Sequence, residues 1–123
     1  MESGIKVHVV LKVKKRAKIL EGGLARCVLS AVRMVCDSQG IGVEEGNCAS
    51  DHMHLLLTIP VWLAPINVIR SIMIGTEMQV WYQYENVVRE EFNGLRMLWS
   101  ESYYIASAQF GDTEALERYI RNQ

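Results

Sequence analysis

One pair of histidines has a spacing that suits a metal ion. His52 and His54 stand in the segment Asp51-His52-Met53-His54, just before a run of aliphatic residues. On a β-strand, alternate side chains share a face, so the two imidazoles would point the same way with their Cα atoms about 6.6 Å apart. Such a pair can bind one divalent cation, although two histidines in this pattern are also often held by core hydrogen bonds or left half exposed.

A tyrosine and a glutamine form the second candidate site. Tyr119 and Gln123 are four residues apart in the sequence. On a helix this spacing places both side chains on one face, and Leu116 and Ile120 would anchor that side of the helix to a sheet. The same pattern also fits an ordinary amphipathic helix with a tyrosine at its edge.

Positive charge is concentrated at one end of a chain whose net charge is −1. Residues 1–20 contain six basic residues and one acidic residue, whereas residues 21–123 contain seven basic and thirteen acidic residues. The basic cluster comprises Lys12, Lys14, Lys15, Arg16 and Lys18. It can neutralise the phosphates of a nucleic acid, or it can be a solvated strand edge that discourages aggregation. Both interpretations remain open at this point.

Composition predicts one globular domain that covers residues 1–123. Half of the residues are hydrophobic and 22% are charged, which is a normal balance for a folded domain of this length. The three cysteines are odd in number and form no CxxC pair, which predicts free thiols in the reducing cytoplasm. No segment is typical of a signal peptide or of a membrane-spanning helix.

The hydrophobic periodicity predicts the elements that would position these residues. Strands are expected at 5–13, 43–49 and 51–60, and helices at 23–38, 65–80 and about 82–91. Segments 95–98 and 103–108 are expected to be extended, and a last helix is expected to begin at Gly111-Asp112. In helix 65–80, we expect Ile66, Ile69, Ile72 and Met73 to face inward and Gly75 to allow a bend. The order β-α-β-β-α(α)-β-α predicts an α+β fold of ferredoxin-like arrangement, with helices packed on an antiparallel sheet.

Taken together, the motifs resemble one known family. The segment SDHMHLLLTIP, residues 50–60, resembles the core signature of the single-tyrosine transposases of the HUH endonuclease superfamily. The segment ERYIRNQ, residues 117–123, is similar to the catalytic helix of the same family, in which a glutamine follows the tyrosine by four residues. Residues 9–20 and 99–108 are also similar, so the resemblance extends over nearly the whole chain.

The resemblance implies a specific activity. His52, His54 and Gln123 would bind Mg²⁺ or Mn²⁺, and Tyr119 would be the nucleophile. The enzyme would cleave and rejoin single-stranded DNA through a 5′-phosphotyrosine intermediate, acting on hairpin ends of a mobile element. It would work as a homodimer whose sheets join, and in at least one state each active site would take its histidines from one subunit and its tyrosine from the other.

Three alternatives remain open from the sequence. The chain could be another tyrosine nuclease of the HUH superfamily, such as a replication initiator or a relaxase, although its small size and single candidate tyrosine argue against this. It could be a non-catalytic or domesticated DNA-binding remnant of the same fold. The low basicity of helix 65–80, which has one basic residue, Arg70, and one acidic residue, Glu77, favours that interpretation, and the retained site residues oppose it. It could also be an unrelated small α+β binding domain.

Overall fold

The computed structural model describes residues 4–108 of the chain. Tyr119, Gln123 and the predicted last helix lie outside these residues. The elements, in chain order, are β1 (Gly4–Val13), α1 (Gly22–Ser38), β2 (Gly42–Ala49), β3 (His52–Pro60), α2 (Pro65–Gln83), α3 (Glu85–Glu91) and β4 (Trp99–Ser107). A short 3-10 turn, Lys14–Arg16, follows β1. This order confirms the predicted succession of elements as far as β4.

The four strands form one antiparallel sheet in the order β2-β3-β1-β4. Strand β1 pairs with both β3 and β4, and β2 pairs with β3. The α+β fold with a ferredoxin-like arrangement of its sheet is thereby confirmed. Strands β1 and β3 lie at the centre, and their register sets Lys12 opposite His52 and Val10 opposite His54. Even-numbered residues of both central strands therefore share one face of the sheet.

Odd-numbered residues of the same two strands form the hydrophobic core. Apart from Ile5 at the start of β1, which is 41% exposed, they are all buried: Val7, Val9, Leu11, Val13, Met53, Leu55, Leu57 and Ile59. They pack against buried residues of α1 and α2, among them Val28, Val32, Ile69 and Ile72. Burying each of the larger side chains contributes about 1.5–3 kcal/mol. A slip of one residue between β1 and β3 would turn this set toward solvent, so the core fixes the register of the central strands.

Helices α1 and α2 approach each other closely at Gly75. A Cβ atom at Gly75 would lie 2.6 Å from Cγ2 of Val35. Helix α2 runs through this position from Pro65 to Gln83, so Gly75 provides room for α1 within a single α-helix. Ile69 and Ile72 are buried as predicted, but the prediction for Ile66 was wrong: its side chain is 54% exposed. Ile66 borders a groove beside β4 and does not reach the core.

Two tryptophans attach the start of β4 to α2. The indole N–H of Trp99 donates a hydrogen bond to Oγ1 of Thr76 at 2.8 Å, and that of Trp81 donates to the backbone oxygen of Met97 at 2.9 Å. These contacts help fix where the strand begins, at Trp99. Segment 95–98, predicted to be extended, precedes the strand as irregular structure. Within residues 4–108, no helix combines the length and the apolar character needed to cross a membrane.

Candidate functional site

The two candidate histidines lie on the sheet face opposite the helices, which we call the open face. His52 and His54 alternate with Met53 and Leu55, both of which are fully buried on the helix side. The imidazoles thus share a face, as the alternation of strand residues predicts. Both histidines are partly exposed, which leaves them accessible from the open face. Lys12 lies opposite His52 on the same face.

Asp51 orients the ring of His52. Nδ1 of His52 lies 2.9 Å from Oδ1 of Asp51. An ionised carboxylate can only accept hydrogen bonds, so Nδ1 carries the proton and donates it. The lone pair of this ring is therefore on Nε2. A carboxylate behind one ring nitrogen is the arrangement that commonly orients a metal-binding histidine in proteins.

Arg16 binds the second oxygen of the same carboxylate. Its Nε and Nη2 donate to Oδ2 of Asp51 at 3.0 and 2.8 Å. Burial alone would raise the pKa of Asp51, but hydrogen bonds from His52 and Arg16 outweigh it and hold that pKa below its usual range. Asp51 is therefore an anion at neutral pH that joins the basic turn to the histidine pair.

The backbone of the basic turn is also tied to the loop that precedes β3. The amide of Val13 donates to the carbonyl of Asp51 at 3.0 Å, and that of Leu20 donates to the carbonyl of Ser50 at 2.9 Å. Lys15 and Arg16 have φ values of 60° and 55°. This left-handed conformation is costly for residues with side chains and persists where surrounding contacts enforce it. The backbone contacts and the Arg16–Asp51 pair are contacts of that kind.

His54 contacts a third histidine, which the sequence analysis missed. Nε2 of His54 lies 3.0 Å from Nδ1 of His8, and the two rings stack with their centroids 5.2 Å apart and their planes 15° from parallel. Burial, followed by the nearby imidazole of His8, lowers the pKa of His54, which favours the neutral ring that a metal ligand requires. The alternation of the strand could have indicated this position. His8 is an even-numbered residue in a strand whose odd-numbered residues are core, so it shares a face with His54.

The five residues of the predicted basic cluster do not share one environment. Lys12 is buried, with 6% of its surface exposed, and it lies opposite His52 on the open face. Arg16 is held by Asp51. Lys14 is half-buried, whereas Lys15 and Lys18 are exposed. The structure thus brings Lys12 and Arg16 to the histidine pair and leaves the exposed members available to a ligand at the surface.

The described part of the chain supplies two of the three expected metal ligands. Within residues 4–108, no three His, Cys, Asp or Glu side chains converge as a metal site. His52 and His54 are placed side by side, while Gln123 and Tyr119 lie outside the described range. Three free cysteines agree with the predicted thiols: Cys27, Cys36 and Cys48. Burial raises the pKa of Cys36 and Cys48 to about 11, so neither is a ready thiolate ligand at neutral pH.

Comparison with known proteins gives consistent results. The family model described as "Transposase IS200 like" matches residues 2–123. The transposases for insertion sequence element IS200 of Salmonella typhimurium and of Salmonella typhi are each 25% identical over 118 residues, which is 96% of this chain and 76% of theirs. The ISDra2 transposase TnpA of Deinococcus radiodurans is 23% identical over 119 residues, covering 97% of this chain and 84% of that protein.

Two solved structures share the fold. A candidate transposase from Deinococcus radiodurans R1 superimposes with a TM-score of 0.87 at 17% identity, covering 100% of this chain and 93% of that one. A REP-associated tyrosine transposase bound to a REP hairpin matches with a TM-score of 0.61 at 13% identity, covering 96% of this chain and 63% of that one. At these identities the likeness concerns the fold alone.

Proposed function

Because this chain belongs to the family of IS200-like transposases, we propose that it cleaves and rejoins single-stranded DNA through Tyr119 at a divalent cation held by His52, His54 and Gln123. Its membership confirms the family predicted from the two motifs. The observation that carries the proposal is the pair His52 and His54 on the open face, with Asp51 fixing the first ring.

The donor set suits a catalytic cation. His52 offers Nε2 because its other nitrogen is engaged by Asp51, and burial favours the neutral form of His54 by lowering its pKa. The side-chain oxygen of Gln123 would be the third donor. Two imidazoles and one amide oxygen leave coordination positions for a phosphate oxygen and water on Mg²⁺ or Mn²⁺. When bound, such a cation would polarise the scissile phosphate and offset the charge of the transition state.

Tyr119 would perform the covalent step. The pKa of a tyrosine phenol in water is about 10, so the Oη proton must leave as the oxygen attacks phosphorus. A bond forms between Oη and phosphorus while the bond between phosphorus and the 3′ oxygen breaks, and that oxygen leaves as a hydroxyl after gaining a proton. The 5′-phosphotyrosine link conserves the energy of the phosphodiester, so a 3′-hydroxyl can later reverse the step and join new ends. No nucleotide cofactor is required.

The charges around the site support a nucleic-acid substrate. Lys12 lies on the open face beside His52, where its ammonium group can favour a bound phosphate, and Lys15 and Lys18 are exposed on the adjoining turn and loop. Lys14 and Arg16 complete the same basic segment. We propose single-stranded DNA with hairpin ends as the substrate, a choice supported by the structural relative that is bound to a REP hairpin.

Covalent trapping tests the proposal. The protein is incubated with a labelled single-stranded hairpin and Mn²⁺, and an adduct is sought on a denaturing gel. Tyr119→Phe should abolish the adduct, whereas Tyr82→Phe, which changes a tyrosine that is 84% exposed on α2, should not. His52→Ala should lose cleavage and retain most DNA binding. An adduct that survives Tyr119→Phe removes this residue from the mechanism, and DNA binding without any adduct favours the non-catalytic remnant.

A mixing experiment tests the proposed homodimer. If each active site combines histidines of one subunit with the tyrosine of the other, Tyr119→Phe and His52→Ala proteins are each inactive alone. Mixed dimers of the two variants would contain one site with a complete set of side chains, so mixing should restore part of the adduct. Failure to restore activity, in a mixture shown by mass to contain mixed dimers, contradicts the shared site.

A further inference from the structure

The mechanism above gives no role to His8, although this residue contacts a proposed metal ligand. We infer that His8 is a positioning residue: it accepts a hydrogen bond from Nε2–H of His54 and so leaves Nδ1 of His54 as the atom that binds the cation. This role rests on the proposed metal site. His8 lies outside the motif Asp51-His52-Met53-His54 and is not the nucleophile.

This assignment follows from counting the hydrogen-bond donors and acceptors of two neutral imidazole rings. Only one proton can lie between Nδ1 of His8 and Nε2 of His54, which are 3.0 Å apart. If His8 donated that proton, Nε2 of His54 would be engaged as acceptor and Nδ1 would carry the other hydrogen, so the ring would have no free lone pair. If His54 donates, its Nδ1 lone pair is free. Only the second tautomer lets His54 bind a cation while the contact persists.

The two ligands would then be oriented through opposite nitrogens. Asp51 holds Nδ1 of His52 and frees Nε2, whereas His8 holds Nε2 of His54 and frees Nδ1. A partner on the second ring nitrogen fixes both the tautomer and the orientation of a metal-binding histidine, and its loss commonly weakens metal affinity by about 10–100-fold. His8 would thus do for His54 what the carboxylate does for His52.

The sheet explains why His8 is well placed for this role. In the register of β1 and β3, His8 lies opposite Leu56 and Val10 lies opposite His54. His8 and His54 are therefore diagonal neighbours on the open face, a separation that aromatic rings can bridge. Val7 and Val9 on either side of His8 are buried in the core, which holds this part of β1 in place. The 15° angle between the stacked rings restrains the plane of His54 as well.

Two substitutions separate the hydrogen bond from the stacking. His8→Phe keeps a ring and removes its nitrogens. His8→Asn removes the ring. Its amide oxygen is separated from Cα by the same number of bonds as Nδ1 of histidine, so it can accept a hydrogen bond from His54. The first readout is nitrogen-15 NMR of the metal-free full-length protein, which reports ring tautomers. We expect the Nε2–H tautomer of His54 in the wild type, a mixture in His8→Phe and its recovery in His8→Asn.

The second readout is the affinity for Mn²⁺, measured by the electron paramagnetic resonance signal of the free ion. We expect His8→Phe to lose about 10–100-fold and His8→Asn to retain most of the affinity. An Nδ1–H tautomer of His54 in a wild-type protein that binds Mn²⁺ overturns the role of His8 alone, as does unchanged affinity in His8→Phe. The expected tautomer in a wild-type protein that binds no Mn²⁺ overturns the proposed metal function and the role of His8 with it.

Discussion

Asp51 is the residue whose substitution should affect both the fold and the site. Asp51→Asn keeps the size of the side chain and removes its charge. In the wild type, Arg16 makes two contacts with Oδ2 and His52 makes one with Oδ1. The substituted amide has one oxygen and one NH₂ group, so it must turn the NH₂ group toward one of these two donors. Either Arg16 or His52 then loses its acceptor.

The exposure of the pair sets the expected size of the effect. The side chains of Arg16 and Asp51 are 30% and 16% exposed. Hydrogen bonds to charged groups contribute about 1.5–3 kcal/mol each, and fully exposed ion pairs only about 0.2–1 kcal/mol. For this partly buried contact we expect Asp51→Asn to lower the free energy of unfolding by about 1–3 kcal/mol. Because Arg16 makes two contacts with Oδ2, we expect the amide oxygen to stay with Arg16 and His52 to lose its acceptor, which should lower the Mn²⁺ affinity by about 10–100-fold.

Urea unfolding of the metal-free protein at neutral pH measures the first effect, and Glu85→Gln is the control. It removes the charge from an ion pair with Arg89 on α3 whose side chains are 52% and 57% exposed. Pairs of this kind, four residues apart on a helix, stabilise by about 0.3–0.5 kcal/mol. A loss in Asp51→Asn that is no larger than in the control, together with unchanged Mn²⁺ affinity, would refute the account of Asp51 given above.

The lowered pKa of Asp51 predicts that the stability difference between wild type and Asp51→Asn depends on pH. The pKa of Asp51 is lower in the folded protein than its ordinary value of about 3.9, so its stabilising contribution is present above that value. The contribution is lost as the pH falls through the folded-state pKa. The stability difference between wild type and Asp51→Asn should therefore shrink as the pH falls below about 4, and a difference that stays constant as the pH is lowered contradicts the assignment.

Three further predictions concern packing, a buried hydrogen bond and DNA affinity. Gly75→Ala should lower the free energy of unfolding, measured in urea, by about 1–2 kcal/mol, because overpacking against the stiff side chain of Val35 exceeds the helix-propensity gain of about 1 kcal/mol. In a protein that already carries Val35→Ala, the same Gly75→Ala change should instead raise the free energy of unfolding. Thr76→Val should cost about 1–3 kcal/mol by leaving the indole N–H of Trp99 without its acceptor, and Thr76→Ser should retain most of the stability. Lys18→Ala should reduce the salt dependence of single-stranded DNA binding by a slope of about 0.7, measured by fluorescence anisotropy, and an unchanged slope excludes a phosphate contact there.

Local patterns were sufficient to predict which way the histidines point. The alternation of His52 and His54 with Met53 and Leu55 depends only on strand geometry, and the hydrophobic members decide which face is buried. The order of elements followed from the same kind of pattern. For Ile66, helical spacing alone was misleading, because whether the first turn of a helix is covered depends on neighbours that are distant in sequence.

Contacts between distant segments could not be predicted in this way. His8 and His54 are 46 residues apart, and Arg16 and Asp51 are 35 apart. These contacts depend on the register of β1 against β3 and on a turn with positive φ values. Neither feature can be predicted from a short motif. The sequence analysis therefore offered Arg16 only as a candidate phosphate-binding residue, whereas in the structure its guanidinium is held by a carboxylate.

The core residues and the candidate site residues lie on opposite faces of β1 and β3, and this arrangement predicts how substitutions act. The odd-numbered residues of β1 and β3 hold the register through burial, so His8, His52 and His54 are positioned without having to stabilise the fold themselves. Substitutions of these three histidines should therefore change metal and DNA affinity before they change the free energy of unfolding. A core substitution such as Leu55→Ala should reduce both together, because a sheet that loses its register loses the alignment of the imidazoles as well.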